Sequence, residues 1–314
     1  MNDLDRSLCS SRARLVYQRW CSTLVVALSW LCCVAIDGSG SASAHEFWIA
    51  PSRYEAGAPT ERGSGGAIEL SVVAGTGFRG ERKPWSPDRS VRFVLRAART
   101  LDLTRATTPG DMVWTRFQPS DAGGAMVGFE STFLPIELPA AQFDVYLQDE
   151  GLDAALAARR ARHEPGPGRE RYRRCAKAWL AGSDAARALQ PLGLPLELVP
   201  ASPPGAAAEL ELHVLLQGKP LAGALVKAWR RPLGASGEPV PVAERDSVSA
   251  VWKGRSDARG EVRIPSRESG EWLVSVVAMG PSREPREADW ESTWASLTFV
   301  RPGPAGSHAV ARPR

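Results

Sequence analysis

The chain has 314 residues, 43% hydrophobic and 24% charged, the proportions of a soluble globular protein. Its formal charge is only +4, and residues 1–44 contribute four arginines against three aspartates. So small an excess, with the arginines scattered, excludes a nucleic-acid-binding surface.

Residues 1–44 read as a secretory signal peptide. Arg6, Arg12, Arg14 and Arg19 form a basic head, Trp20 to Ile36 carries no charge, and small residues follow. The apolar run falls short of the about 20 residues that span a bilayer, which weighs against an uncleaved anchor. Two cuts fit the small residues: Ala42-Ser43-Ala44 before His45, and Gly40-Ser41-Ala42 before Ser43. The expected compartment is therefore the periplasm or the exterior. Four of the five cysteines lie in this leader. Cys175 alone remains, so no internal disulfide is available, and it is expected as a small buried residue on a helix.

Residues 45–138 read as one β unit, in which the hydrophobic pattern has period two from about residue 66. Ile68, Leu70 and Val72 alternate with Glu69 and Ser71; Val91, Phe93 and Leu95 alternate with Arg92 and Arg96. Met112–Arg116 and Ala125–Phe133 continue it. Such runs, broken by Gly, Pro and Ser, predict antiparallel strands of a β-sandwich-like domain. Gly75-Thr-Gly-Phe-Arg-Gly80 fits G-x-G-x-x-G, but Pro84 and Pro87 forbid the helix a dinucleotide site needs, so a loop is expected.

Residues 139–190 read as a helical insertion. Pro139 opens a helix with Phe143, Tyr146 and Leu147 on one face, and Leu152–His163 is rich in helix formers. Arg169–Ala181 is expected as a further helix, with Arg169, Arg173 and Lys177 in a solvated stripe.

Residues 191–300 form a second β unit, with Leu210, Leu212 and Val214 facing inward. Ser256-Asp-Ala-Arg-Gly260 is a turn in which Asp257 caps and Gly260 takes positive φ. Residues 301–314 have no apolar period and are expected to be disordered. The predicted fold is mainly β: two β-sandwich domains, immunoglobulin- or transthyretin-like, joined by the helical insertion.

Several stretches in this order carry a family likeness. They include His45-Glu-Phe-Trp-Ile-Ala-Pro51, Phe143-Asp-Val-Tyr-Leu-Gln-Asp-Glu-Gly-Leu152, Leu194-Pro-Leu-Glu-Leu-Val-Pro200 and Ala288-Asp-Trp-Glu-Ser-Thr-Trp294. Together they resemble the bacterial exported family called domain of unknown function 4198. The resemblance implies a periplasmic protein, in a family whose members are often labelled components of nickel or cobalt uptake. The second β unit resembles the carboxypeptidase-regulatory or transthyretin type of sandwich, through Gly218-Lys-Pro-Leu-Ala-Gly-Ala224 and the turn at 256–260. Such modules bind or space, and no catalytic residue is implied.

His45 is the candidate metal ligand. A cut directly before it places a free amine beside its ring nitrogen, and one more histidine would complete a copper brace. A cut before Ser43 makes His45 the third residue, a square-planar nitrogen site suited to Cu(II) or Ni(II). His163, His213 and His308 are the possible partners; each alone reads as an ordinary surface residue. The acids Glu287, Asp289 and Glu291 could serve as paired acids or hard-metal ligands, and Trp252, Trp272, Trp290 and Trp294 as a sugar-stacking platform, against plain packing. The expected function is a non-enzymatic periplasmic binding or accessory protein for nickel, cobalt or copper, working with a membrane transporter component. The alternatives are a β-sandwich carbohydrate- or protein-binding module and a histidine-brace copper enzyme.

Overall fold

Three open β-sheets, two helices and short turns make up the computed structural model, which describes residues 46–55, 67–118, 123–183, 185–235 and 237–303. The expected signal peptide, His45, His308 and all but three residues of the expected disordered tail lie outside the described residues.

The amino-terminal sheet is built from β1 (Glu46–Pro51), β2 (Ile68–Thr76), β3 (Arg79–Arg82) and β6 (Val113–Phe117). In β2 the predicted alternation holds, with Ile68, Leu70 and Val72 buried. The G-x-G-x-x-G stretch is the β2–β3 hairpin, not an open loop. Gly75 pairs with Gly80, and a Cβ on Gly75 would meet the Arg79 carbonyl oxygen at 2.1 Å. Those glycines allow two strands to touch, and Phe78 turns the chain at φ 68°.

A nine-stranded sheet runs through the middle of the protein. Its path is β14 (Trp252–Arg255), β13 (Leu225–Arg231), β16 (Gly270–Pro281), β17 (Trp290–Arg301), β9 (Gly168–Leu180), β7 (Ala125–Ser131), β4 (Ser90–Arg96) and β5 (Thr100–Asp102), with β8 (Leu134–Leu138) also on β9. It draws strands from both expected β units, so the boundary placed between them does not separate two sheets. The join is a parallel pairing of β17 with β9. In β4 the register shifts between Ser90 and Arg92, and Val91 is 57% exposed instead of facing the core with Phe93 and Leu95.

The third expected helix is corrected here: Arg169–Ala181 is strand β9 and its end. Its Ala, Arg and Lys content favours helix, but both edges are claimed by tertiary pairing, β7 and β8 on one side and β17 on the other. The arginines read as a helical stripe find partners across the strands. Arg169 grips Asp289 with two bonds at 2.7 and 3.1 Å, and Arg173 donates to Thr293 Oγ1 at 3.0 Å; Arg171, outside that stripe, donates to Glu291 at 2.9 Å.

Alternate residues of β9 face different layers. Cys175 and Trp179 pack against the small carboxy-terminal sheet of β10 (Leu196–Pro200), β11 (Glu209–Leu216), β12 (Lys219–Pro220) and β15 (Glu261–Pro265). Ala176, Ala178 and Leu180 pack against the amino-terminal sheet. Lys177 lies on the carboxy-terminal side, 1% exposed, with its ammonium 2.8 Å from Glu197. The turn at 256–260 is as predicted, with Asp257 accepting from the Arg259 and Glu261 amides and Gly260 at φ 75°.

The helices α1 (Ala140–Asp149) and α2 (Asp153–Ala161) follow β8. Phe143, Tyr146 and Leu147 of α1 are buried over Val277, Trp290 and Trp294. They cover the same face as the amino-terminal sheet, further along the strands, since Trp294 shares its side of β17 with Ser296, which donates to the Phe47 carbonyl. Between helices and amino-terminal sheet lies the start of β1.

Candidate functional site

At the start of β1 successive side chains face opposite ways: Glu46 meets buried charge and Phe47 lines a cavity. Glu46 is 2% exposed, and its Oε2 makes no hydrogen bond. Burial raises its carboxyl to about 7, with Glu150 adding to the rise and Lys227 and Arg174 opposing it. Glu150, at the end of α1, accepts from the Lys227 ammonium of β13 at 2.6 Å. Burial still pushes Glu150 above the usual carboxylate range. A third acid, Glu170 of β9, is also raised to about 7 by burial, although Ser292 and Tyr146 donate to it.

Arg174 links this network to a cavity. Its guanidinium lies over the rings of Tyr172 and Trp294, 4.9 and 4.8 Å from their centroids. Its backbone amide donates to Ser131 Oγ at 2.8 Å, and burial pulls its pKa below the ordinary arginine value. The cavity, of about 420 Å³, opens between β1–β2 and the β4–β7–β9 part of the large sheet. Phe47, Trp114, Phe129 and Tyr172 give it aromatic walls. Lys83, Arg89 and Arg174 give it three cationic groups, and no Asp or Glu lines it.

The other predicted site residues are not drawn together. His163 follows α2 in a turn at φ 51°, beside Arg159 and Arg160 and the acids Asp144 and Glu164, which pair with Arg159. His213 stands on β11 opposite Glu261, in the carboxy-terminal sheet. Among the described residues no group of three or more His, Cys, Asp or Glu is placed to hold a metal ion. The acids 287, 289 and 291 are spent on Arg169 and Arg171. Trp272, Trp290 and Trp294 are core residues, 1–3% exposed, so they offer no sugar platform. Cys175 is buried as expected, though on a strand, and its thiol is pushed up to about 12, which makes it neither nucleophile nor thiolate ligand. Among the described residues no helix is long and apolar enough to cross a membrane.

A family profile described as "Domain of unknown function (DUF4198)" matches residues 42–280. The chain belongs to that family. The DUF4198 match takes in β1 through nearly all of β16 and stops short of β17. It therefore includes every cavity-lining residue and all of the buried network except Ser292 and the Trp294 ring. A search of curated proteins returns no match.

Nothing local in the sequence marks Glu46 or Arg174. Glu46 reads as one polar residue in a strand, and Arg174 falls within a stretch with helical composition. The signal that was present is the second periodicity of β9, in which Tyr172, Arg174, Ala176 and Ala178 share a face.

Proposed function

We propose that this DUF4198 protein is an exported, non-catalytic binding or accessory protein that holds a transition-metal ion, nickel, cobalt or copper, at the start of β1. Residues 1–44 are its export signal, and the exported chain begins at or just before His45. His45 supplies the imidazole and, when the cut is directly before it, the amine. The ion is cargo, passed to or from a membrane transporter component. The part from β10 onward, with its transthyretin-like turns, supports the site and does not act chemically.

Glu46 carries this reading. A buried carboxylate with an unbonded oxygen is costly unless something engages it, and this one directly follows His45 in the chain. A divalent ion held by His45 would take that oxygen as a further donor and displace its proton, a coupling expected wherever ligands must ionise to bind.

The test is calorimetric titration of the exported protein with Ni(II), Co(II) and Cu(II), repeated on His45→Ala and Glu46→Gln. One ion per chain is expected, lost in His45→Ala and weakened by about 10-fold or more in Glu46→Gln. Unchanged stoichiometry in His45→Ala would overturn the reading, as would an exported form that begins well downstream of Trp48.

A further inference from the structure

We infer that the cavity beside Phe47 is a second site, which takes an uncharged aromatic molecule carrying one hydroxyl. It is independent of the metal reading, because Phe47 faces away from Glu46 on β1 and the site uses neither His45 nor Glu46.

The cavity has room for one such molecule. Its volume of about 420 Å³ lies within the range of small-molecule pockets, roughly 300–1,000 Å³. Such pockets are lined mainly by apolar and aromatic side chains with a few polar groups. The walls here follow that pattern. Trp114 and Phe129 are buried and meet edge to face at 4.9 Å, and Phe47 lies 5.6 Å from Phe129. Ala74, Leu134 and Tyr172 add to the apolar surface. Rings held at an angle present both a face and an edge to a further ring, so a flat aromatic body fits best.

The charges around the cavity select no ion. Lys83 is paired with Glu81 at 3.1 Å. Arg174 acts on the buried carboxyls of Glu46 and Glu170, opposing the rise of both. Arg89 is exposed, where water and salt screen its attraction. A charged guest would shed its hydration against rings and find no ionic partner in return. A neutral guest has little hydration to shed.

Two hydroxyls in the lining serve the polar end of the guest. That of Tyr172 donates no hydrogen bond among the described residues. Ser90 Oγ donates to the Ser86 carbonyl at 2.9 Å, and its lone pairs can still accept. One group offers a donor and the other an acceptor, and a hydroxyl answers both.

The experiment titrates the intact protein with 2-phenylethanol and with phenylacetate, read by calorimetry. The alcohol is expected to bind with a Kd of about 1 mM or below, and the acid about 10-fold more weakly or worse. Tyr172→Phe removes one hydroxyl and should weaken the alcohol by about 3- to 10-fold. Ala74→Phe, opposite Phe47 on β2, fills the cavity and should abolish binding with an unchanged circular dichroism spectrum. Should Ala74→Phe fold poorly, Tyr172→Phe decides the matter alone. No binding of the alcohol up to about 10 mM overturns the proposal. So does phenylacetate binding as tightly as the alcohol, an unchanged affinity in Tyr172→Phe, or retained binding in a folded Ala74→Phe. Metal ions enter none of these titrations, so failure here and failure of the metal reading are told apart.

Discussion

Lys177 and Glu197 form an ion pair at 2.8 Å with both side chains 1% exposed, joining the nine-stranded sheet to the carboxy-terminal sheet. The carboxylate is also bonded by the amides of Leu192, Gly193 and Leu194, and the ammonium by the Leu198 carbonyl. Every strong polar atom of the pair is engaged, which is the condition for tolerating charge in a core. Removing one partner leaves the other buried and alone. Lys177→Met is expected to lower the unfolding free energy by about 3–5 kcal/mol in urea titration. Lys177→Met combined with Glu197→Gln should recover part of that loss, because no unpaired charge remains.

Glu46 and Glu170 give the protein an unusual dependence on pH. Both carboxyls rise on folding, from 4.5 to about 7. The folded state therefore holds more protons than the unfolded state between those values, and stability falls as pH climbs through that window. Glu46→Gln fixes the neutral form. The variant should match the parent near pH 4 and exceed it at pH 8 by up to about 3 kcal/mol, measured by thermal or urea unfolding at both values. A parent that gains stability from pH 5 to 8 relative to Glu46→Gln would contradict this account.

Gly168 admits α1 onto the sheet. A Cβ there would lie 2.1 Å from Cγ of Phe143, a fully buried ring that also carries the Arg159 guanidinium 5.3 Å from its centroid. Gly168→Ala must push the ring, and with it α1, off its seat. A loss of about 1–3 kcal/mol is expected. Hydrogen exchange should speed up in 140–161 and not in β11.

Cys175 should be inert in the native protein. It is 2% exposed and its thiol is raised to about 12 by burial, so almost no thiolate exists at neutral pH. A thiol reagent such as a maleimide is expected to label it only at the rate of unfolding. Stoichiometric labelling within minutes under native conditions would refute its position between the two sheets.

The strands with a local signature were legible beforehand. In β11 one face is buried and one is not, and in β2 the buried face is apolar and the other carries Glu69 and Ser71, so period two appears directly. The turn at 257–260 and the apolar face of α1 are equally local. Strand β9 was not legible as a strand because its charges are answered far away, Arg169 by Asp289 and Arg171 by Glu291, each 120 residues on. Within the stretch itself only helix-favouring composition is visible. The candidate sites share this difficulty. Lys83, Phe129 and Arg174 come from three separate segments, and their convergence depends on sheet order, which no window of sequence reports. His45 was conspicuous for its position in the chain; Glu46, its neighbour, became conspicuous only once its surroundings were seen.

The parallel contact between β9 and β17 sets a timetable for biogenesis. Strand β9 is complete by residue 180, yet the neighbour along one of its edges ends at residue 301. A nascent polypeptide lacking its last dozen described positions has no means of closing the middle of its largest sheet, and must wait with that edge bare. Closure of that edge therefore waits for β17, long after β9 itself has been synthesised.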